Sequence, residues 1–227
     1  MNSQTRMVEV RTKILKDNDA VARKLRQRFH DSGVFVVSLV SSPGSGKTMF
    51  LEKTLLALRE KYRVAALVGD LATDNDARRL ARAEVPVKQI STGTVCHLEA
   101  QMIENSLSEW NIDQLDFLFI ENVGNLVCPA TYDLGEDLRL VLFSVTEGED
   151  KPRKYPTIFN TADIAVISKM DLAEAVEFDL PAARASIEAV RPAMQTIELS
   201  AKTGAGMEVW FQLLQSRQSE SRQSVPQ

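Results

Sequence analysis

Ser41-Ser42-Pro43-Gly44-Ser45-Gly46-Lys47-Thr48 has the spacing of a phosphate-binding loop, G-x-x-x-x-G-K-[ST], with Ser41 in place of the first glycine. Small residues let successive backbone N–H groups curl around phosphate oxygens, and a helix starting behind them adds the positive end of its dipole. In this pattern Pro43, Gly44, Ser45 and Gly46 form the cradle, Lys47 reaches the β- and γ-phosphates, and the Thr48 hydroxyl ligates Mg²⁺. An apolar run, Val34–Val40, precedes the loop and a helical stretch, Lys47–Arg59, follows it. That context separates a nucleoside triphosphate loop from a chance Gly-Ser turn.

Ser168-Lys169-Met170-Asp171 follows the apolar run Ile164–Ile167 and resembles the guanine-reading N-K-x-D motif of GTPases, with Ser for Asn. The Asp171 carboxylate can accept from guanine N1–H and the exocyclic amine, a donor pair that adenine lacks, while the Lys169 stem lies along the base. Ser200-Ala201-Lys202 resembles the S-A-K loop whose backbone N–H groups meet guanine O6. Two such motifs in this order point to GTP and GDP rather than ATP. The usual Asn tethers this loop and touches the base, so the shorter Ser168 bears on nucleotide affinity more than on selectivity. Asp70 and Glu121 end apolar runs and are natural outer ligands for Mg²⁺, often through water. Gly124 can offer its N–H to the γ-phosphate, as in a D-x-x-G switch with Glu121 for the Asp. Asn125 stands where fast GTPases carry a water-orienting Gln, and its shorter amide predicts slow hydrolysis. Asp74 and Asp76 read equally well as water- or metal-orienting groups and as acids at a helix start.

Cys96 and His97 are adjacent, and Cys128 lies in the loop that follows Glu121. In isolation a Cys is most often a small buried hydrophobe and a lone His structural. Here, however, the chain has 2 Cys and 2 His, and both segments leave strands near the phosphate loop, at the edge where α/β sites form. Two thiolates and an imidazole suit Zn²⁺, Ni²⁺ or Cu and not Mg²⁺ or Ca²⁺. Three ligands leave the ion incomplete, so a second chain or water must finish the sphere and the metal stays exchangeable.

The elements that must carry these groups alternate. Apolar runs at Val34–Val40, Val64–Val68, Val87–Ile90, Phe117–Ile120, Leu138–Val145, Ile164–Ser168 and Gln195–Leu199 are mostly continuous, as strands covered on both faces are. Helical patterns lie between them: one from about Asp74, with Thr73 or Asp74 as N-cap, one over Leu98–Trp110, and a last one from Gly206 to about Ser216. This rhythm predicts a doubly wound, mostly parallel α/β sheet with helices on both faces. Residues 1–30 read as an amphipathic helix with Ile14, Val21, Leu25 and Phe29 on one face, docked on the body. Residues 31–216 form the nucleotide-binding domain, and 217–227, lacking apolar periodicity, are expected to be a disordered tail. A net charge of −4 argues against a nucleic-acid surface, and no apolar run reaches membrane-spanning length. With two cysteines and a polar start, a reducing cytoplasm is expected.

SSPGSGKT, GDLATDNDARR, STGTVCHLEA, FIENVGNLVCPATYDLGE and SVTEGEDKPRKYP closely resemble the HypB family of hydrogenase nickel-incorporation GTPases, in matching order from about Asn18 to Lys202. The resemblance implies a SIMIBI-class P-loop GTPase fold and a homodimer formed with GTP. It further implies nickel transfer, with a small zinc-containing HypA-type chaperone, into the precursor of the [NiFe]-hydrogenase large subunit. The family's Ni²⁺/Zn²⁺ site corresponds to Cys96, His97 and Cys128. The N-terminal cysteine motif and His-rich tract of some members have no counterpart here, so tight nickel storage is not expected. Two rival readings remain: a P-loop kinase acting on a small metabolite, and a GTP-switched interaction module whose thiols are structural. Cys128 follows Gly124 by four residues, so a γ-phosphate contact at Gly124 is expected to move a metal ligand.

Overall fold

The computed structural model describes residues 3–70 and 75–223, with side chains for 12–70, 77 and 79–222. The positions Thr73 and Asp74, and the side chain of Asp76, therefore lie outside the described residues. Among them the chain forms seven parallel strands: β1 (Phe35–Ser41), β2 (Val64–Asp70), β3 (Val87–Ser91), β4 (Phe117–Glu121), β5 (Leu138–Ser144), β6 (Ile164–Ser168) and β7 (Gln195–Glu198). Their order across the sheet is β3-β2-β4-β1-β5-β6-β7. β1 thus sits centrally between β4 and β5, and the chain that leaves its carboxyl end emerges beside the end of β4. In an α/β sheet this reversal of strand order is where a ligand crevice forms.

Helices cover both faces. One face carries α2 (Lys47–Leu58) and α8 (Met207–Gln223), whose Phe50, Leu51, Leu55, Trp210 and Leu214 pack on Val37, Leu39 and Phe119. The other carries α1 (Ser3–Asp31) and α4 (Ala100–Ser106) over Val36, Ala65 and Leu118, and further along α6 (Pro156–Thr161) and α7 (Leu180–Val190) over Val141 and Phe143. Short helices α3 (Asn75–Leu80) and α5 (Lys151–Lys154) complete the connections. Every residue of β1, β4, β5 and β6 is buried. Two covered faces remove the reason for alternation, and the apolar runs are continuous for that reason.

On α1, Ala22, Leu25 and Phe29 are buried against the sheet, whereas Ile14 is 46% exposed and lies beyond the body's edge. The close approach needs Gly135. Its φ is +83°, and a Cβ there would stand 2.9 Å from the Ala22 carbonyl oxygen and 3.0 Å from Arg26 N.

The C-terminal end differs from the expected tail. α8 does not stop near Ser216 but continues to Gln223. Gln218 is buried, and Arg222 Nη2 reaches Asp116 Oδ1 at 2.6 Å. Polar side chains thus hold a segment whose sequence shows no apolar stripe. Asp116 also accepts from the Arg63 backbone N–H at 2.8 Å and from Arg63 Nε at 3.2 Å. Burial pushes its carboxyl up, but the Arg63 and Arg222 bonds outweigh burial and bring it down to about 2. A carboxylate depressed below its ordinary 3.8 stabilises the fold above that value and loses the contribution as pH falls toward about 2. Asp116→Asn is therefore expected to lower the midpoint of urea unfolding at pH 7. The gap from the unsubstituted protein should close between about pH 4 and 2.

Candidate nucleotide and metal sites

The phosphate loop leaves β1 and enters α2 through Gly46, which adopts φ +93°. Gly44, at φ +77°, makes the other left-handed bend. Lys47 and Thr48 both turn toward the end of β4: Lys47 Nζ lies 2.9 Å and Thr48 Oγ1 2.8 Å from Glu121 Oε1. Glu121 is 1% exposed, and its second oxygen has no hydrogen-bond partner among the described residues. A buried carboxylate with an unused oxygen beside a Thr hydroxyl is an all-oxygen donor set, which fits Mg²⁺. Asp70 ends β2, and its carbonyl accepts from Thr92 N at 3.0 Å. Gly124 packs on the loop itself, since a Cβ on it would lie 3.1 Å from Pro43 Cα.

At the carboxyl ends of β6 and β7, a cavity of about 230 Å³ is lined by Ser45, Gly46, Lys169, Asp171, Ala201 and Lys202 among others. Lys169, at φ +58°, donates from Nζ to the Gly44 carbonyl at 2.6 Å, so its stem spans the cavity beside the phosphate loop. Ser200 Oγ lies 2.6 Å from Asp171 Oδ1 and braces the carboxylate. Ser168 Oγ lies 2.6 Å from the Ser45 carbonyl and 3.2 Å from that of Phe143. The shorter side chain therefore ties this segment to the phosphate loop. If Asp171 reads guanine, Asp171→Asn replaces an acceptor with a donor facing the base's donors. GTP affinity should then fall about 10- to 100-fold in competition titrations, with any ATP affinity unchanged.

Cys96, His97 and Cys128 come together, with one ligand atom from each lying within 4.8 Å of the others. The two sulfurs are 2.6 Å apart, and both cysteines are free. His97 is largely buried, with Nδ1 unpartnered among the described residues and Nε2 3.4 Å from Glu99 Oε1. The Tyr132 ring lies against it, centroid to centroid 3.9 Å. Burial outweighs Glu99 and holds the imidazole below its ordinary value, so it is neutral and has a lone pair to offer at pH 7. The bond to Cys128, together with burial, pushes the Cys96 thiol up. Binding a metal at this pair must therefore displace a proton.

Two asparagines that the motifs do not single out as structural join the sites. Asn122 Oδ1 accepts from Leu98 N at 3.0 Å and from Val123 N at 2.9 Å. Asn125 Nδ2 donates to the Cys96 carbonyl at 3.3 Å, and its Oδ1 accepts from Val127 N at 2.8 Å. The stretch from Glu121 to Cys128 thus touches the phosphate loop at one end and grips the Cys96–Leu98 segment along its length. Asn125 is engaged in that grip through both ends of its amide.

Residues 35–198 match the family model described as CobW/HypB/UreG, nucleotide-binding domain. The hydrogenase maturation factor HypB of Azotobacter vinelandii is 46% identical over 209 residues, which cover 92% of this chain and 69% of that protein. The chain belongs to the CobW/HypB/UreG family of P-loop GTPases. Within that family, the crystal structure of HypB from Helicobacter pylori in complex with nickel is 39% identical. It superposes with a TM-score of 0.85, covering 93% of this chain and 99% of that one. The signal recognition particle 54 kDa protein of Aeropyrum pernix, in complex with GDP, shares 14% identity at a TM-score of 0.55 over 83% of this chain and 49% of that one, and so shares the fold. The fold is that of the SIMIBI GTPases, as the CobW/HypB/UreG assignment requires. No helix among the described residues is long and apolar enough to cross a membrane.

Proposed function

We propose that this chain is a GTP-hydrolysing nickel metallochaperone that assists insertion of nickel into the precursor of the [NiFe]-hydrogenase large subunit. It receives or passes the metal with a small zinc-containing HypA-type partner and works in the cytoplasm. The observation that carries the reading is the convergence of Cys96, His97 and Cys128 at the far end of the stretch that starts on Lys47 and Thr48 at Glu121. Its kinship with HypB proteins, one solved with nickel, points to the same cargo.

In this reading Pro43 to Thr48 hold the phosphates, and Lys169, Asp171, Ser200, Ala201 and Lys202 hold the guanine. Thr48, Asp70 and Glu121 hold Mg²⁺ directly or through water. When bound, Mg²⁺ neutralises charge on the β- and γ-phosphates. Entry of a γ-phosphate draws Lys47 away from Glu121 and offers Gly124 N–H an acceptor. Both events act on the 121–128 stretch, whose other end carries Cys128 and whose Asn122 and Asn125 carry the Cys96–Leu98 segment with them. Three ligands per chain leave the nickel sphere open for the same face of a second copy, so GTP, nickel and dimerisation favour one another. Hydrolysis removes the γ-phosphate, loosens the shared site and frees nickel for transfer. With Asn125 unable to order the attacking water, hydrolysis is slow, as a timing switch requires.

The test is equilibrium dialysis of the purified protein against Ni²⁺ and Zn²⁺ in the presence of GDP and of a non-hydrolysable GTP analogue, with GTP and ATP hydrolysis measured alongside. About one nickel per two chains with the analogue, together with hydrolysis of GTP but not ATP, is expected. GTP hydrolysis with no metal bound in any state would reduce the protein to a GTP-switched interaction module. ATP-dependent phosphorylation of an acceptor would make it a kinase.

A further inference from the structure

The two segments that carry Cys96, His97 and Cys128 share a second attachment, to α1. Helix α4 starts at Ala100, just after Cys96 and His97, and its own N-cap residue, Glu99, makes no side-chain capping bond. The first amides of a helix need outside acceptors. Ala100 N finds one 82 residues away, in Asn18 Oδ1 of α1 at 2.9 Å. The other end of the same amide, Asn18 Nδ2, donates to the Asp133 carbonyl at 2.8 Å. Asp133 follows Tyr132, whose ring covers His97, and lies five residues past Cys128. Its carboxylate is fixed from α1 as well, by Arg26 Nη2 at 2.6 Å. One side chain, itself only 8% exposed, thus bonds the backbone of both ligand-bearing segments.

We propose that Asn18 is a positioning residue of the metal site: it sets the separation of the Cys96–His97 segment from the Cys128 segment and thereby the geometry offered to nickel. This rests on the reading of Cys96, His97 and Cys128 as nickel ligands. A single planar amide is suited to the task because it presents an acceptor and a donor at a fixed spacing, one for each segment. Outer groups that orient metal ligands typically contribute about 10- to 100-fold in metal affinity. Asn18 touches no part of the nucleotide loop, so its effect must appear in the metal and not in the nucleotide.

The test compares the unsubstituted full chain with Asn18→Ala, Asn18→Asp, Leu25→Ala and Cys128→Ala. Nickel(II) affinity is measured by chelator competition, the thiolate-to-nickel charge-transfer band by absorption, and GDP affinity in metal-free buffer. Asn18→Ala is expected to weaken nickel about 10- to 100-fold and to shift the band, with GDP affinity unchanged. Asn18→Asp keeps the acceptor for Ala100 and loses the donor to Asp133, so it should move both readouts in the same direction. Leu25→Ala removes α1 packing but leaves both Asn18 hydrogen bonds intact, so it should lower stability while leaving the band in place. Wild-type nickel affinity and band in both Asn18 variants would overturn the proposal, as would an equal band shift in Leu25→Ala. If Cys128→Ala also bound nickel as the unsubstituted protein does, the ligand assignment itself would fall, and the Asn18 proposal with it.

Discussion

Cys128→Ala is expected to weaken nickel(II) binding by well over the roughly 100-fold that loss of an outer partner costs, and to remove its dependence on GTP. Two consequences follow from the geometry. Cys96 and His97 alone give a soft metal two ligands, too few to compete with water and buffer. The 121–128 stretch would still move with the γ-phosphate but would carry no ligand at its end. The Cys96 thiol, now held up by burial without its sulfur partner, should also titrate nearer its ordinary value. Isothermal titration with nickel in GDP and in a GTP analogue measures both effects. GTP affinity in metal-free buffer is expected to stay within about twofold, because Cys128 meets Cys96 and not the phosphate loop.

Lys47→Ala should have the second largest effect, for two separable reasons. The ammonium supplies charge-assisted bonds to the phosphates, and its loss is expected to weaken GTP by about 100-fold or more. In the nucleotide-free protein the same group neutralises Glu121, whose side chain is 1% exposed. Leaving that carboxylate buried with only the Thr48 hydroxyl costs on the order of 3 kcal/mol of stability. Lys47→Ala combined with Glu121→Gln removes the unpaired charge, so the double variant should regain most of the stability and none of the GTP affinity. Chemical denaturation with and without nucleotide separates the two effects.

The sheet was readable because its strands are covered on both faces, which turns each into an unbroken apolar run such as Val64–Val68 or Leu138–Val145. Helices were less so. The pattern over Leu98–Trp110 overstates α4, which starts at Ala100 because Glu99 is extended, at φ −118° and ψ 152°, and ends at Ser106. α5 and α6, of 4 and 6 residues, are too short to show a helical period, whereas the 11-residue α7 carries readable signals, in its N-cap Asp179 and in Ala183 and Ile187 on one face, that went unread. The last turns of α8 are held by Gln218 and by an ion pair to Asp116, a residue 106 positions away, which no local pattern reveals.

At the candidate sites, the residues proposed to bind ligands stand out in the sequence because phosphate, guanine and soft metals each demand particular side chains at particular spacings, and the fold brings those residues together. The residues that position them do not. Asn18 and Asn122 are ordinary polar residues in sequence, and their roles exist only where distant backbone amides and carbonyls meet them. Ser168 shows the same limit. Its length alone does not reveal that the fold brings the Ser45 carbonyl within 2.6 Å of its hydroxyl.

In the proposed mechanism, γ-phosphate and nickel are read by one continuous stretch of chain, Glu121 to Cys128. Its most direct test is a closed thermodynamic cycle: nickel affinity with GDP and with a non-hydrolysable GTP analogue, and analogue affinity with and without nickel. The analogue is expected to tighten nickel, and nickel to tighten the analogue, by the same factor, about 5- to 150-fold. A factor of one on both arms, with both ligands bound, would contradict it.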